Sequence, residues 1–527
     1  MASNYFEHDT YAPPDTAAHF TPARNPAVSV ALGLFAAIIA GATAATQEPA
    51  IAILVAALMA AAGGMFLLRH RSLLLWALVL TTPFNDQLAL NAGGLNVRPY
   101  TLLSVLGVVW IVLLFLTREP SRVREIVWYY KGTIALALVL IVSKVVTVFT
   151  LSVLPPYMTQ LFCIKTILFI GLQFAATFVV ASFIDSTDRL QSVIRGWIHL
   201  MNVVCFVAFV QLVLANVLGM DRFVWHREII AIGRPYSVFR EPDVLGCFYA
   251  SSIAMLVPLL VANVKFVSRA YLLVTLLTQA LFLLLIVVRA AWIATAVCML
   301  LYVVLMLSTR RFNALMPYLN AVLAAALIGV VGLAMAAPSV AQKVVERFAS
   351  VSNPNAESGS AYRIMEMKNQ FDMVAHPRLN TGGPMTLFMG YGDFAWSYWA
   401  PYVIPEEDFD QNAKKLTRGT VIIDPGFSIF LAIQFDNGLI GLTLYCAFLL
   451  SISAHFLKTL RRTHDPAQQA ILLATFLPVV AVFVCYLFSY DPLYLALWVM
   501  LGIHLATAYY VNRSNSGVDE IATLQPI

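Results

Sequence analysis

Between Met220 and Asp243 the chain reads MDRFVWHREIIAIGRPYSVFREPD, which sets Arg222, Arg227, Arg234 and Arg240 between two long apolar runs. A further arginine, Arg289, interrupts two more apolar runs in the sequence VVRAAW. A guanidinium is planar, keeps its proton at any physiological pH and makes paired, charge-assisted hydrogen bonds. Several together suit a ligand whose negative charge is concentrated at one point, such as a phosphate or pyrophosphate. The alternative is structural: the arginines reach lipid headgroups, or pair with Asp221, Glu228, Glu241 and Asp243.

The elements that must position these residues are membrane helices. Of 527 residues, 60% are hydrophobic and 12% charged, with mean hydropathy +0.79, which excludes an ordinary soluble globular protein. Apolar runs long enough to cross a ~30 Å hydrocarbon core as helix recur along most of the chain. The expected fold class is all-α, a polytopic transmembrane bundle. Its fourteen spans fall at 27–47, 50–68, 72–84, 100–117, 133–154, 161–184, 196–219, 243–263, 270–288, 290–308, 317–337, 427–454, 470–490 and 493–511. The corresponding organisation is a polar tail over 1–26, helices one to eleven over 27–337, a loop over 338–426, helices twelve to fourteen over 427–511, and a second tail over 512–527. All six cysteines fall within the apolar runs, as small buried side chains rather than disulfide partners or metal ligands.

Basic residues of short loops favour the cytoplasm. Arg69 and Arg71; Arg118, Arg122, Arg124 and Lys131; Arg189 and Arg195; Lys265 and Arg269; Arg310 and Arg311; and Lys458, Arg461 and Arg462 all occupy alternate loops. Both termini are therefore expected inside, and the loop 220–242, the Arg289 turn and the segment 338–426 outside. Four arginines on the outer side run against the orientation rule and call for an explanation. Within the long outer segment, SAYRIMEMKNQFDMVA spaces Ile364, Met367, Phe371 and Val374 as one apolar helical face, and Val340 to Phe348 forms a second short amphipathic stretch. Both are expected on the membrane surface or over the bundle.

GRPYSVFREPDVLGCF, the Arg289 hairpin, SAYRIMEMKNQF, LFMGYGDF and DNGLIGL follow one another in an order and spacing that resemble the landmarks of the O-antigen ligase and polymerase superfamily of membrane glycosyltransferases. TTPFNDQLALNAGGLNVRPYTLL resembles that family's early outer segment, so the resemblance covers about 75–527. It implies a glycosyltransferase active at the periplasmic face of a bacterial inner membrane. The implied donor is a polyprenyl-pyrophosphate-linked glycan and the acceptor a second glycan; no nucleotide sugar, metal or other cofactor and no nucleic acid is expected. A flippase and a chain-length regulator are the implied partners. By family pattern Arg234 matches the arginine before the eighth span and Arg289 the arginine between the ninth and tenth. Arg240 adds to the pyrophosphate site, and Arg363, at a position often basic in the family, contacts glycan or phosphate. Ligases carry a histidine near the start of the helix bearing GLIG, whereas TVIIDPGFSIFLAIQFDNGLIGL has none. The polymerase branch is therefore favoured, with Asp424, or else Glu241, as the group that orients or deprotonates the acceptor hydroxyl. Their structural alternatives are a helix cap for Asp424 and an ion pair with Arg240 for Glu241.

Other residues rank lower. Asp408 and Asp410 in PEEDFDQ match a metal-holding acidic pair only formally; His226, in the arginine loop, could serve as acid or base, but a surface histidine beside Trp225 is more often only packing, and His376 is similar. Lys144 in IVSKVVTVF and Asp436 in AIQFDNGLIG are charges inside apolar runs, expected to face the bundle interior. They support a rival reading from another class, a secondary transporter or flippase of lipid-linked sugars. The chain shows no half-to-half repeat and no GxxxxGK phosphate loop.

Overall fold

The computed structural model describes residues 71–84, 90–92, 95–97, 103–109, 111–112, 122–150, 160–225, 233–239, 241–308, 342, 345–346, 364, 367–372, 384–392, 428–488 and 495–515. The chain divides into two compact units, residues 1–65 with 92–94, and residues 66–91 with 95–527. Every element named below belongs to the second.

Among the described residues its helices include α1 (Arg71–Thr81), α2 (Arg122–Tyr129), α3 (Lys131–Thr150), α4 (Gln160–Phe183), α5 (Thr187–Val217), α6 (Pro242–Val261), α7 (Arg269–Ile286), α8 (Arg289–Ser308), α9 (Pro384–Met389), α10 (Ile429–Arg462), α11 (Pro466–Cys485) and α12 (Leu495–Asn515). Two-residue strands β1 (Val224–Trp225) and β2 (Arg234–Pro235) pair antiparallel, Val224 opposite Pro235 and Trp225 opposite Arg234. The architecture is that of a polytopic helical membrane protein. Among the described residues, α5, α6, α7, α8, α10 and α11 are each long and apolar enough to cross a membrane.

Where an expected span lies in the described region, a helix occupies it. The runs 243–263, 270–288 and 290–308 become α6, α7 and α8 with ends shifted by at most two residues. Two helices overrun their expected stretch by eight residues or more. α5 begins at Thr187, nine residues before the expected start, because Ser186 caps it by accepting from the N–H of Arg189 at 3.2 Å. α10 continues to Arg462, where two arginines sit favourably at the negative helix end. Hydropathy marks where a helix meets lipid, not where its hydrogen bonds stop. The expected span 72–84 yields the 11-residue α1, too short to cross alone. The expected spans 27–47, 50–68 and 317–337 and both tails lie outside the described residues, apart from the end of α12, which carries helix to Asn515.

The centre of the bundle is α6, most of whose residues are buried; it packs against α11, α7 and α8. α4 lies against α12, and α3 runs antiparallel to α10. Two side-chain bonds set that last register: Thr133 with Ser451 at 2.7 Å and Lys144 with Asn437 at 2.6 Å. In the segment 338–426 the described residues 364 and 367–372 are helical, as the periodicity predicts. Ile364 and Phe371 are exposed, so that apolar face is turned outward rather than onto the bundle.

A candidate site at the arginine end of the bundle

The ends of α5, α7 and α11 and the starts of α6, α8 and α10 gather at one end of the bundle. There Arg234, 8% exposed, projects from β2. Its Nε donates to the carbonyl of Ile286 at 2.7 Å, and Nη2 bonds Asp243 Oδ1 at 2.7 Å. The first bond satisfies a carbonyl at the end of α7, where a helix leaves its acceptors without partners and favours positive charge. The second neutralises the guanidinium with an acid from the first turn of α6. Of the two readings of Arg234 in the sequence, the structure shows the pairing with Asp243. A guanidinium carries five N–H donors, and these bonds use two of them.

The segment carrying Arg234 is tightly specified. Gly233 has φ 72, a left-handed conformation open to glycine. Val238 and Phe239 plug into the core, Phe239 against Phe248 at 5.3 Å between ring centres. Glu241 is the N-cap residue of α6 and Pro242 its first helical residue, a preferred place for proline. FREPD is thus a helix start as well as a charge cluster.

Ile286 leads into the turn that presents Arg289. Val287 has φ 54, a region that costs a β-branched residue about 1–2 kcal/mol, so the surroundings must hold it. Three bonds close the turn: Arg234 on Ile286, the N–H of Val287 on Leu284 at 3.3 Å, and the indole of Trp292 on Leu283 at 3.0 Å. α8 then begins at Arg289, with no acidic residue in its first turn. A cation at a helix N-terminus opposes the macrodipole. Arg289 is half-buried at that helix start.

A second feature emerges in the folded chain. α10 is broken at Gly438, whose φ of 64 and ψ of −167 belong to a region essentially restricted to glycine. The stretch beyond the break, Leu439 to Arg462, is about 36 Å long as helix and can cross a ~30 Å core alone. The break therefore lies toward the end of the bundle opposite Arg462, the end that holds Arg234. Carbonyls released there are met by a separate segment: the N–H of Tyr391 donates to Phe435 at 2.8 Å and that of Gly392 to Asp436 at 2.9 Å. Tyr391 stacks on Phe435 with ring centres 4.6 Å apart. Gly390 and Gly438 face this contact so closely that a methyl on either would enter the other segment's backbone. LFMGYGDF and DNGLIGL, two separate landmarks in the sequence, thus form one interlocked structure.

Lys144 and Asp436, the two charges placed inside apolar runs, both adjoin this break and are buried. Lys144 donates to Asn437 Oδ1, so its first identified partner is the amide next to the break. Two further contacts join the break to the arginine corner's end of the bundle. The N–H of Ile429 donates to Tyr486 at 2.8 Å, and Cys485 Sγ lies 3.8 Å from the carbonyl of Ala290, beside Arg289.

The structure thus places Arg234, Asp243, Glu241 and Arg289 at one corner. Arg240, Arg363, Asp424, Arg227, His226, His376, Asp408 and Asp410 lie outside the described residues. Asp243 is one of the four acids the sequence offered as partners; missed in the sequence are Asn437 and the glycine interlock. A polar triplet DNG inside an apolar run was the available signal for the last two.

Fold and site together define a class: a multi-pass helical membrane protein with an arginine-bearing corner at one end and a broken helix beside it. No protein-family model matches the chain, and no curated protein matches it.

Proposed function

We propose that this chain is a membrane glycosyltransferase that polymerises polyprenyl-pyrophosphate-linked oligosaccharide repeat units of an O-antigen or exopolysaccharide. It works at the periplasmic face of a bacterial inner membrane, with both termini in the cytoplasm. The observation that carries this reading is the bond from Arg234 to Ile286, which brings the arginine of GRPYSVF against the turn that presents Arg289. Two basic landmarks far apart in sequence thereby share one corner.

In the reaction, an acceptor hydroxyl oxygen bonds to the anomeric carbon while the bond from that carbon to the pyrophosphate breaks. The electron pair leaves with the lipid pyrophosphate, and the hydroxyl proton passes to a carboxylate, Asp424 or Glu241. Charge grows on the leaving group, so fixed guanidinium groups stabilise the transition state more than the ground state. Arg289, half-buried at a helix start, is the direct contact. Arg234, nearly enclosed and neutralised by Asp243, holds the turn and offers its remaining N–H groups; Arg240 and Arg363 extend the site toward pyrophosphate and glycan. A flippase supplies the donor and a chain-length regulator acts beside the enzyme.

Deleting the gene and analysing surface glycan tests this. Loss of a polymerase leaves single repeat units on the lipid A core, or no secreted polymer if the product is an exopolysaccharide. A bare core would instead indicate an O-antigen ligase.

One observation favours a second reading. A broken helix beside a buried lysine and aspartate is the device by which many transporters build a substrate site, which suits a flippase of lipid-linked sugars. Purified protein given defined lipid-linked oligosaccharide separates the two: longer products mean a transferase, and unchanged donor in a competent assay means a transporter.

A further inference from the structure

Gln211 lies in α5, within an apolar run, and is 7% exposed. A polar side chain at such a position is costly and is retained where it has partners or a task. Its amide engages the backbone of a single turn. Oε1 accepts from the N–H of Tyr236 at 3.1 Å and from that of Ser237 at 2.7 Å, while Nε2 donates to the carbonyl of Ser237 at 2.8 Å. Two N–H groups aimed at one atom require an acceptor there, so the network fixes which end of the amide is oxygen.

Ser237 needs this support. Its φ of 53 is left-handed, which a residue other than glycine keeps only when its surroundings impose it. Its hydroxyl also donates to the carbonyl of Val204 at 2.7 Å, so the turn is pinned to α5 at two levels. Arg234 stands three residues before Ser237 and Asp243, its ion-pair partner, six residues after it. The turn therefore sets the path on which the arginine reaches Ile286 and the acid reaches the arginine.

We propose that Gln211 is a positioning residue for Arg234: its amide holds the Tyr236–Ser237 turn and so aims the guanidinium at the Arg289 hairpin. Its effect on turnover rests on the glycosyltransferase reading; its effect on the turn does not.

The test uses the full chain in lipid nanodiscs, as wild type, Gln211→Leu and Gln211→Glu. Hydrogen exchange over residues 233–239 reads the turn, and elongation of polyprenyl-pyrophosphate-linked oligosaccharide reads activity. Gln211→Leu removes both the acceptor and the donor, so exchange at Tyr236 and Ser237 rises about tenfold or more, and kcat falls by a similar factor with KM little changed. Gln211→Glu distinguishes aim from mere folding. Its protonated carboxyl offers a carbonyl to the two N–H groups and an O–H to Ser237, whereas the ionised form has no donor. The variant should approach wild type as pH falls and lose protection and turnover as pH rises, relative to wild type in the same buffers.

Unchanged exchange in both variants overturns the proposal. So does faster exchange with full turnover, since the turn would then not aim anything the reaction uses. If wild type elongates nothing in a competent assay while exchange depends on Gln211 as described, the glycosyltransferase reading fails and the positioning of the Arg234 turn stands. Should Gln211→Leu fail to fold, the pH dependence of Gln211→Glu decides alone.

Discussion

Lys144 donates its ammonium to the amide oxygen of Asn437 at 2.6 Å, joining the middle of α3 to the residue just before the break in α10. Both side chains are buried, Asn437 completely. Removing one partner strands the other, which costs more than the bond itself contributes. Lys144→Met is expected to destabilise the protein by about 2 kcal/mol. Thermal unfolding in detergent checks this, and a double-mutant cycle with Asn437→Leu should show clear non-additivity.

The interlock at the break depends on two glycines. Gly390→Ala and Gly438→Ala each force a methyl into opposing backbone at a positive φ, 79 and 64 respectively. Each should leave little folded protein in a size-exclusion profile. Gly132, in α3, has open space at the same atom, so Gly132→Ala should be neutral or stabilise by about 0.5–1 kcal/mol. Equal behaviour of all three would refute the interlock.

At the corner, Arg234→Lys keeps the charge but cannot make both the Ile286 and the Asp243 bonds with one fork-shaped group. Polymer yield should fall about tenfold or more, with protein level reduced only modestly. Arg289→Ala, which removes the proposed pyrophosphate contact, should cut elongation about 10²-fold or more, a loss of about 2.7 kcal/mol or more in transition-state stabilisation. Normal polymer length and yield in Arg289→Ala cells would sink the assignment.

The acceptor base is open to a direct comparison. Asp424→Asn should reduce kcat by 10²-fold or more, the scale of general base catalysis, while Glu241→Gln reduces it less. The reverse order in a turnover assay would move the role to Glu241, the N-cap residue of α6.

Orientation is testable by chemistry at single cysteines. Placed at Met220 or Arg222, a cysteine should react with a membrane-impermeant maleimide added to intact cells with a permeabilised outer membrane. Placed at Lys265 or Lys458, it should react only after the inner membrane is opened. The opposite pattern would remove the periplasmic site.

The membrane class and the positions of α6, α7 and α8 were legible in the sequence because hydropathy is local: an apolar run long enough for lipid must become helix to satisfy its own backbone. The apolar period over 364–371 was legible for the same reason. What the sequence could not decide was which distant groups meet. Arg234 had four acids available as partners, and only the packing of α6 beside α7 selected Asp243 and the carbonyl of Ile286. Lys144 and Asn437 stand 293 residues apart, and GYG meets DNG only because a broken helix exposes carbonyls that a second segment must satisfy. A run of leucine, valine and alanine tells that a helix is buried in lipid or protein but carries no address for its neighbour. That address lies in side-chain shape and a few polar bonds, and only the tertiary structure brings those together.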